Sequence, residues 1–214
     1  MTDPGLLRLY LVTDRNLALG RRLEDVVMAA VRGGVTMVQL REKECTSREF
    51  LELALSLKSC LSGSGVPLII NDRVDIALAC DADGVHVGQS DLPCDVVRRL
   101  MGPDRIVGLS VESIDDAVKA NSADVDYIGI SPVFSTPTKT DTAPALGLEG
   151  IRKITAVSRH PSVGIGGLNC GNAGQVILAG ADGVSVVSAI MSAPDPEKAA
   201  AGLSSIIFEA GGKR

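Results

Sequence analysis

Residues 10–15 read Tyr10-Leu11-Val12-Thr13-Asp14-Arg15, an apolar strand-like run that ends in a hydroxyl, an acid and a base. A doubly wound open sheet of the dinucleotide-binding kind carries G-x-G-x-x-G after its first strand, so that backbone can approach a pyrophosphate. That fingerprint is missing here. Short β-rich apolar runs recur near 6–12, 35–40, 67–70, 84–87, 105–109, 126–130, 162–165 and 183–187. Helical periodicity fills the gaps between them. Leu23, Val26, Val27, Ala30 and Val31 follow the stripe of one helix face, and Phe50, Ala54, Leu57 and Leu61 repeat it. Thr46-Ser47-Arg48-Glu49 is a capping-box start, Ser113-Ile114-Asp115-Asp116 resembles another, and Pro93 suits the first turn of the fourth helix. Eight strands alternating with eight helices require parallel pairing, because each crossover carries a helix. The chain has 214 residues, about 27 per unit, which meets the lower size of roughly 200 for a (β/α)8 TIM barrel. The expectation is an α/β single-domain barrel over 1–214, with no linker or composition break.

Composition excludes several classes. Lys and Arg number 21 against 26 Asp and Glu, a net charge of −5, which lacks the basic footprint of a nucleic-acid binder. Aromatics are 2% with no Trp, too few for a base-stacking platform or a sandwich built on a large aromatic. The shortage fits a barrel filled by branched aliphatics. The 23 glycines exceed the usual ~7%. No apolar run reaches the ~18 residues of a membrane span, and the N-terminus lacks a signal peptide's basic region. Five scattered cysteines without C-x-x-C read as reduced thiols of a cytoplasmic protein, and two histidines are too few for a His-rich metal site. Oligomeric state is left open between monomer and homo-oligomer.

In such a barrel, chemistry belongs to the C-terminal strand ends. The second strand ends in Val38-Gln39-Leu40-Arg41-Glu42-Lys43. Alternate residues share a face, so Gln39, Arg41 and Lys43 point to the mouth while Leu40 packs outward. A guanidinium fork with an ammonium suits a phosphate or diphosphate, where the plain alternative is solvated charge. Asp72 and Asp91 close the third and fourth strands. They would either hold Mg²⁺, which takes one or two carboxylates with substrate phosphate, or cap the following helices. After strand six, Pro132 to Thr142 forms a connection longer than the usual ~2–6 residues, with five hydroxyl residues around Lys139. It reads as an anion-binding loop rather than a Ser/Thr linker. Gly166-Gly167 and Val187-Ser188 close strands seven and eight, where barrels often bind phosphate. Ser110 completes the ring. His86 has the parity to fill an interior layer, and His160 reads as surface.

These strings are similar to those of the thiamine-phosphate synthase family from about Tyr10 to Ile190. They are Tyr10-Leu-Val-Thr-Asp14, Val38-Gln-Leu-Arg-Glu-Lys43, Ile70-Asn-Asp-Arg73, Asp83-Gly-Val-His-Val-Gly-Gln-Ser-Asp91, Phe134-Ser-Thr-Pro-Thr-Lys139 and Gly180-Ala-Asp-Gly-Val-Ser-Val-Val-Ser-Ala-Ile190. The resemblance implies a barrel enzyme that joins hydroxymethylpyrimidine diphosphate to hydroxyethylthiazole phosphate, or its carboxylated form, releasing diphosphate. It implies that Gln39, Arg41, Lys43, Asn71, Ser110 and Lys139 hold the pyrimidine diphosphate. Asp72 and Asp91 would bind Mg²⁺, and Thr136, Thr138, Gly167, Val187 and Ser188 the thiazole phosphate. Among these, Lys139, Arg41, Lys43 and Ser110 are the expected catalytic set. Ser131 departs from the family's usual glycine before Pro132. Two other readings share the fold: a thiazole tautomerase, which needs an acid/base group and no metal, and a non-catalytic barrel that binds a phosphorylated ligand. The intact cradle and both acids argue against them.

Overall fold

The computed structural model describes residues 4–135 and 144–212. Eight parallel strands close in sequence order: β1 (Leu9–Val12), β2 (Met37–Leu40), β3 (Leu68–Asn71), β4 (Gly84–Val87), β5 (Ile106–Val111), β6 (Tyr127–Ile130), β7 (Ser162–Ile165) and β8 (Gly183–Val186). The barrel shuts where β1 pairs with β8 through Leu9↔Val184, Tyr10↔Ser185 and Leu11↔Val186. Every strand-like run of the sequence became a strand.

Around the barrel lie α1 (Leu23–Arg32), α2 (Ser47–Leu61), α3 (Val74–Ala79), α4 (Cys94–Met101), α5 (Ile114–Ala120), α6 (Gly147–Val157), α7 (Ala173–Leu178), α8 (Ser188–Met191) and α9 (Pro196–Gly211). The described residues thus form nine α-helices rather than eight. The last unit spends one short turn, α8, at the mouth, where Ser188 lines the cavity, before α9 makes the outer layer. Local chemistry sets the ends. Thr46 and Glu49 complete a reciprocal capping box on α2, and Ser113 accepts from Asp116 N at the start of α5. Pro93 is the residue before α4 rather than within its first turn. Among the described residues no helix is long and apolar enough to cross a membrane.

Strand parity divides the core in two. Leu9, Leu11, Val38, Leu40, Ile70, Val85, Val107, Ile128 and Val184 face outward and pack beneath the helices. Leu7, Tyr10, Met37, Ile69, Tyr127 and Val163 fill the barrel. The expectation of a branched-aliphatic filling holds for Leu7, Ile69 and Val163 and is corrected by Tyr10, Met37 and Tyr127. Both tyrosines of the chain lie inside, because their hydroxyls find hydrogen-bond partners there.

The lower rim repeats one device. Asp83, Asp126 and Asp182, each just before an even-numbered strand, reach back to the preceding strand. Their carboxylates accept from Leu68 N at 2.8 Å, Val107 N at 2.9 Å and Ser162 N at 2.9 Å. Amides left over by the slanted parallel ladder are thereby satisfied.

Candidate active site

The upper half of the barrel is a cavity of about 440 Å³, within the ~300–1,000 Å³ range of small-molecule sites. It lies at the C-terminal ends of the strands. Gln39 lines it from the inner face of β2, 4% exposed. Arg41 and Lys43 line it as well, although β2 itself ends at Leu40. Arg41 is steered by Thr13, a fully buried residue whose Oγ1 accepts the Arg41 amide at 3.2 Å. Glu42, between them, turns away from the cavity. Its Oε2 takes Arg15 Nε at 2.8 Å and a terminal guanidinium nitrogen at 2.7 Å. This pair ties the exit of β1 to that of β2, and so holds the segment carrying the two cations.

Asn71, Asp72 and Asp91 line the adjoining wall. Neither acid caps a helix: the residue before α3 is Arg73, that before α4 is Pro93, and Asp91 Oδ2 accepts Gly88 N at 2.7 Å. Asp72 adopts a left-handed backbone, φ 61°, a conformation costly for a side chain with a Cβ and concentrated at functional sites. Burial, then the charge of Asp91, pushes the Asp72 carboxyl up to about 6, against the pull of Lys43. Asp91 thus acts on Asp72 at close range, both by its charge and as a hydrogen-bonding neighbour, and each effect favours the protonated form of Asp72. Among the described residues no third His, Cys, Asp or Glu joins them. Hard carboxylate oxygens, like charges forced together and a nearby cation-lined wall make a donor set that suits Mg²⁺ sharing its shell with phosphate oxygens and water.

Across the cavity stand Ser110, Gly167, Val187 and Ser188. Gly167 has φ +66°, and a Cβ there would meet Ser135 O at 2.9 Å. Only glycine fits that turn, and it brings bare backbone to the cavity wall. Thr136, Thr138 and Lys139 lie outside the described residues. Ser131, the departure from the family pattern, also lines the cavity.

The floor holds what sequence reading missed. Gln39 Nε2 donates to Tyr10 OH at 2.6 Å, Tyr10 OH and Tyr127 OH are 2.8 Å apart, and Tyr127 OH meets His86 Nδ1 at 2.9 Å. His86 Nε2 then meets Ser110 Oγ at 2.9 Å. His86 fills an interior layer as its parity predicts, and it also supports a cavity residue. Its same-face parity with Tyr10 and Tyr127 was available in the sequence. The contact between strands far apart in the chain was not. Ser185 Oγ, also on the cavity lining, is buried and has no hydrogen-bond partner among the described residues. His160 is not simple surface: its Nε2 lies 2.8 Å from Ala120 O and pins the lower loop.

Known proteins resemble this chain throughout. The family described as thiamine monophosphate synthase matches residues 9–190. A thiamine-phosphate synthase of Albidiferax ferrireducens is 56% identical over 201 residues, covering 94% of this chain and 92% of the relative. One from Vibrio parahaemolyticus is 51% identical, covering 94% and 98%. Among solved structures, the thiamine phosphate pyrophosphorylase of Pyrococcus furiosus superposes with a TM-score of 0.88 at 39% identity, over 97% of this chain and 98% of that one.

Proposed function

The chain belongs to the thiamine monophosphate synthase family of transferases, and we propose that it condenses hydroxymethylpyrimidine diphosphate with hydroxyethylthiazole phosphate, or its carboxylated form. The products are thiamine phosphate and diphosphate. One observation carries this reading: Gln39, Arg41, Lys43, Asn71, Asp72, Asp91 and Ser110 converge on a single cavity at the strand ends.

The reaction breaks the bond between the pyrimidine methylene carbon and the diphosphate oxygen. The electron pair leaves with diphosphate, and the thiazole nitrogen lone pair forms the new C–N bond. An aminopyrimidine delocalises positive charge at its methylene, so the step is dissociative. The nucleophile carries no proton to remove. A catalytic base is therefore unnecessary, in keeping with a cavity whose only histidine is engaged in the floor.

Arg41 and Lys43 bind the diphosphate and stabilise the charge it gathers, an electrostatic contribution strengthened by partial exclusion of water. Lys139 acts on the same departing group. Gln39, Asn71 and Ser110 orient the pyrimidine half, while Thr136, Thr138, Gly167, Val187 and Ser188 hold the thiazole phosphate. Asp72 and Asp91 would hold Mg²⁺, which when bound supplies further positive charge against the leaving diphosphate. We read residues 1–214 as one domain acting in the cytoplasm on these small molecules, with neither nucleic acid nor membrane as partner.

The deciding assay incubates the protein with both substrates and Mg²⁺ and measures diphosphate release coupled to thiamine phosphate. Release in a one-to-one ratio with thiamine phosphate is expected. A proton shift on the thiazole without diphosphate release points to tautomerase chemistry, and binding without turnover to a non-catalytic barrel.

A further inference from the structure

The five groups in the barrel floor form one continuous hydrogen-bonded relay, and the donor at one end, Gln39, is the observation from which its direction is inferred. Gln39 Nε2 donates to Tyr10 OH. The Tyr10 hydroxyl has one proton, and with Gln39 as donor on one side it goes to Tyr127. In the same direction the Tyr127 proton goes to His86 Nδ1, and an imidazole with a single proton then carries it at Nε2 and donates to Ser110 Oγ. Ser110 accepts from below, so its own O–H is turned to the cavity it lines. At the other end, one of the two N–H bonds of Gln39 is used below, which turns its carbonyl oxygen toward the cavity that Gln39 lines. The cavity therefore meets a ligand with a donor at Ser110 and an acceptor at Gln39. An aminopyrimidine offers the complement: a ring nitrogen that accepts and an amino group that donates.

We propose that Tyr127, together with Tyr10 and His86, acts as a set of positioning residues that fix the direction of this relay and so make the site select an aminopyrimidine over its oxo analogue. The reversed relay would present an acceptor at Ser110 and N–H at Gln39, which suits a ring carbonyl beside a ring N–H. The fold has invested in this geometry. Gly108, on the inward face of β5, stands so close that a Cβ there would collide with the Tyr127 ring and with His86 Nδ1. Tyr127 is fully buried and Tyr10 only 1% exposed, so water does not compete for the protons passed between them. Burial also pushes both phenols well above their ordinary range, which keeps the protons in place.

The specificity half of this proposal rests on the functional reading above; the relay itself does not. The chain has only two histidines, so ¹⁵N spectra of histidine-labelled protein resolve His86 once His160→Gln assigns the other signal. The expected wild-type state is a single tautomer protonated at Nε2, replaced by a mixture in Tyr127→Phe. A wild-type tautomer protonated at Nδ1, or an unchanged spectrum in Tyr127→Phe, overturns the relay. In steady-state assays Tyr127→Phe is expected to lower the kcat/KM preference for the aminopyrimidine diphosphate over its oxo analogue by ~10-fold or more, the loss of a matched hydrogen-bond pattern. The KM for the thiazole phosphate should not move. An unchanged preference overturns the specificity role. Absence of turnover by the wild type with either pyrimidine overturns the functional reading instead, and the imidazole spectrum still judges the relay.

Discussion

Asp91 is folded back onto its own turn, its Oδ2 accepting Gly88 N at 2.7 Å, and from there it acts on the Asp72 carboxyl, chiefly through its charge. The strand order makes this pair: β3 and β4 are neighbours, so their exits deliver the acids side by side. Two carboxylates in partial burial do not both ionise easily, and the arrangement has measurable consequences.

Asp72 has its folded-state value raised from 3.8 to about 6. Between those values the native protein keeps a proton that the unfolded chain has released, so this group's contribution to stability falls as pH rises through about 4 to 6. Asp72→Asn is expected to melt higher than wild type above pH 6, with the difference vanishing below pH 4. Reading the difference between the two proteins removes the opposite contributions of Glu24, Glu49, Asp75 and Asp195, all shifted down. Mg²⁺ should raise the wild-type Tm above pH 6 and leave Asp72→Asn/Asp91→Asn unmoved. Equal responses in both would remove the acids as ligands.

Lys139→Ala separates leaving-group stabilisation from binding. The expected outcome is a kcat lowered by ~10²–10³-fold, the scale of a lost electrostatic donor, with a far smaller change in thiazole-phosphate affinity. Steady-state kinetics with each substrate varied in turn check it. An unchanged kcat with a raised KM would deny Lys139 that role.

Gly108→Ala tests the crowding of the barrel floor. Its Cβ would have to displace a ring rather than a flexible chain end, so the expected cost is ~1–3 kcal/mol of overpacking. Urea denaturation measures it, and a stability within error of wild type would mean that the ring has room to move.

Asp126→Ala probes the lower rim, far from the cavity. Asp126 Oδ2 receives Val107 N at 2.9 Å and a guanidinium nitrogen of Arg98 at 2.7 Å. Removing it strands a backbone amide and takes one partner from Arg98, which keeps the carbonyls of Gly102 and Arg105, at an expected cost of ~1–3 kcal/mol, with kcat unchanged. A loss of kcat without loss of stability would contradict the division of the barrel into a stabilising rim and a reactive one.

The strands and the cradle were readable because both depend on short-range periodicity. Gln39, Arg41 and Lys43 share a face through the pleat alone, and the capping box at Thr46 is local in the same sense. Tyr10 and Tyr127 are 117 residues apart; only closure of the barrel brings them together. A single-sequence pattern of alternating residues cannot say which inward side chain meets which across the interior. The choice between metal ligand and helix cap at Asp72 and Asp91 was likewise open, since an Asp after a strand is compatible with both. Backbone geometry at Asp72 and the turn at Gly88 removed the cap. Arg15 and Glu42 escaped notice because a base followed by a distant acid is commonplace on any surface.

Tyr10 and Tyr127 are the only tyrosines of the chain, and it has no tryptophan. Their rings stand edge to face, centroids 5.9 Å apart, directly below the cavity. The protein's near-ultraviolet absorption and intrinsic emission therefore originate almost wholly at one spot. A ligand that settles on Gln39 or Ser110 is expected to perturb the phenols linked to them, which would make the wild-type chain its own optical reporter of occupancy, with no attached dye.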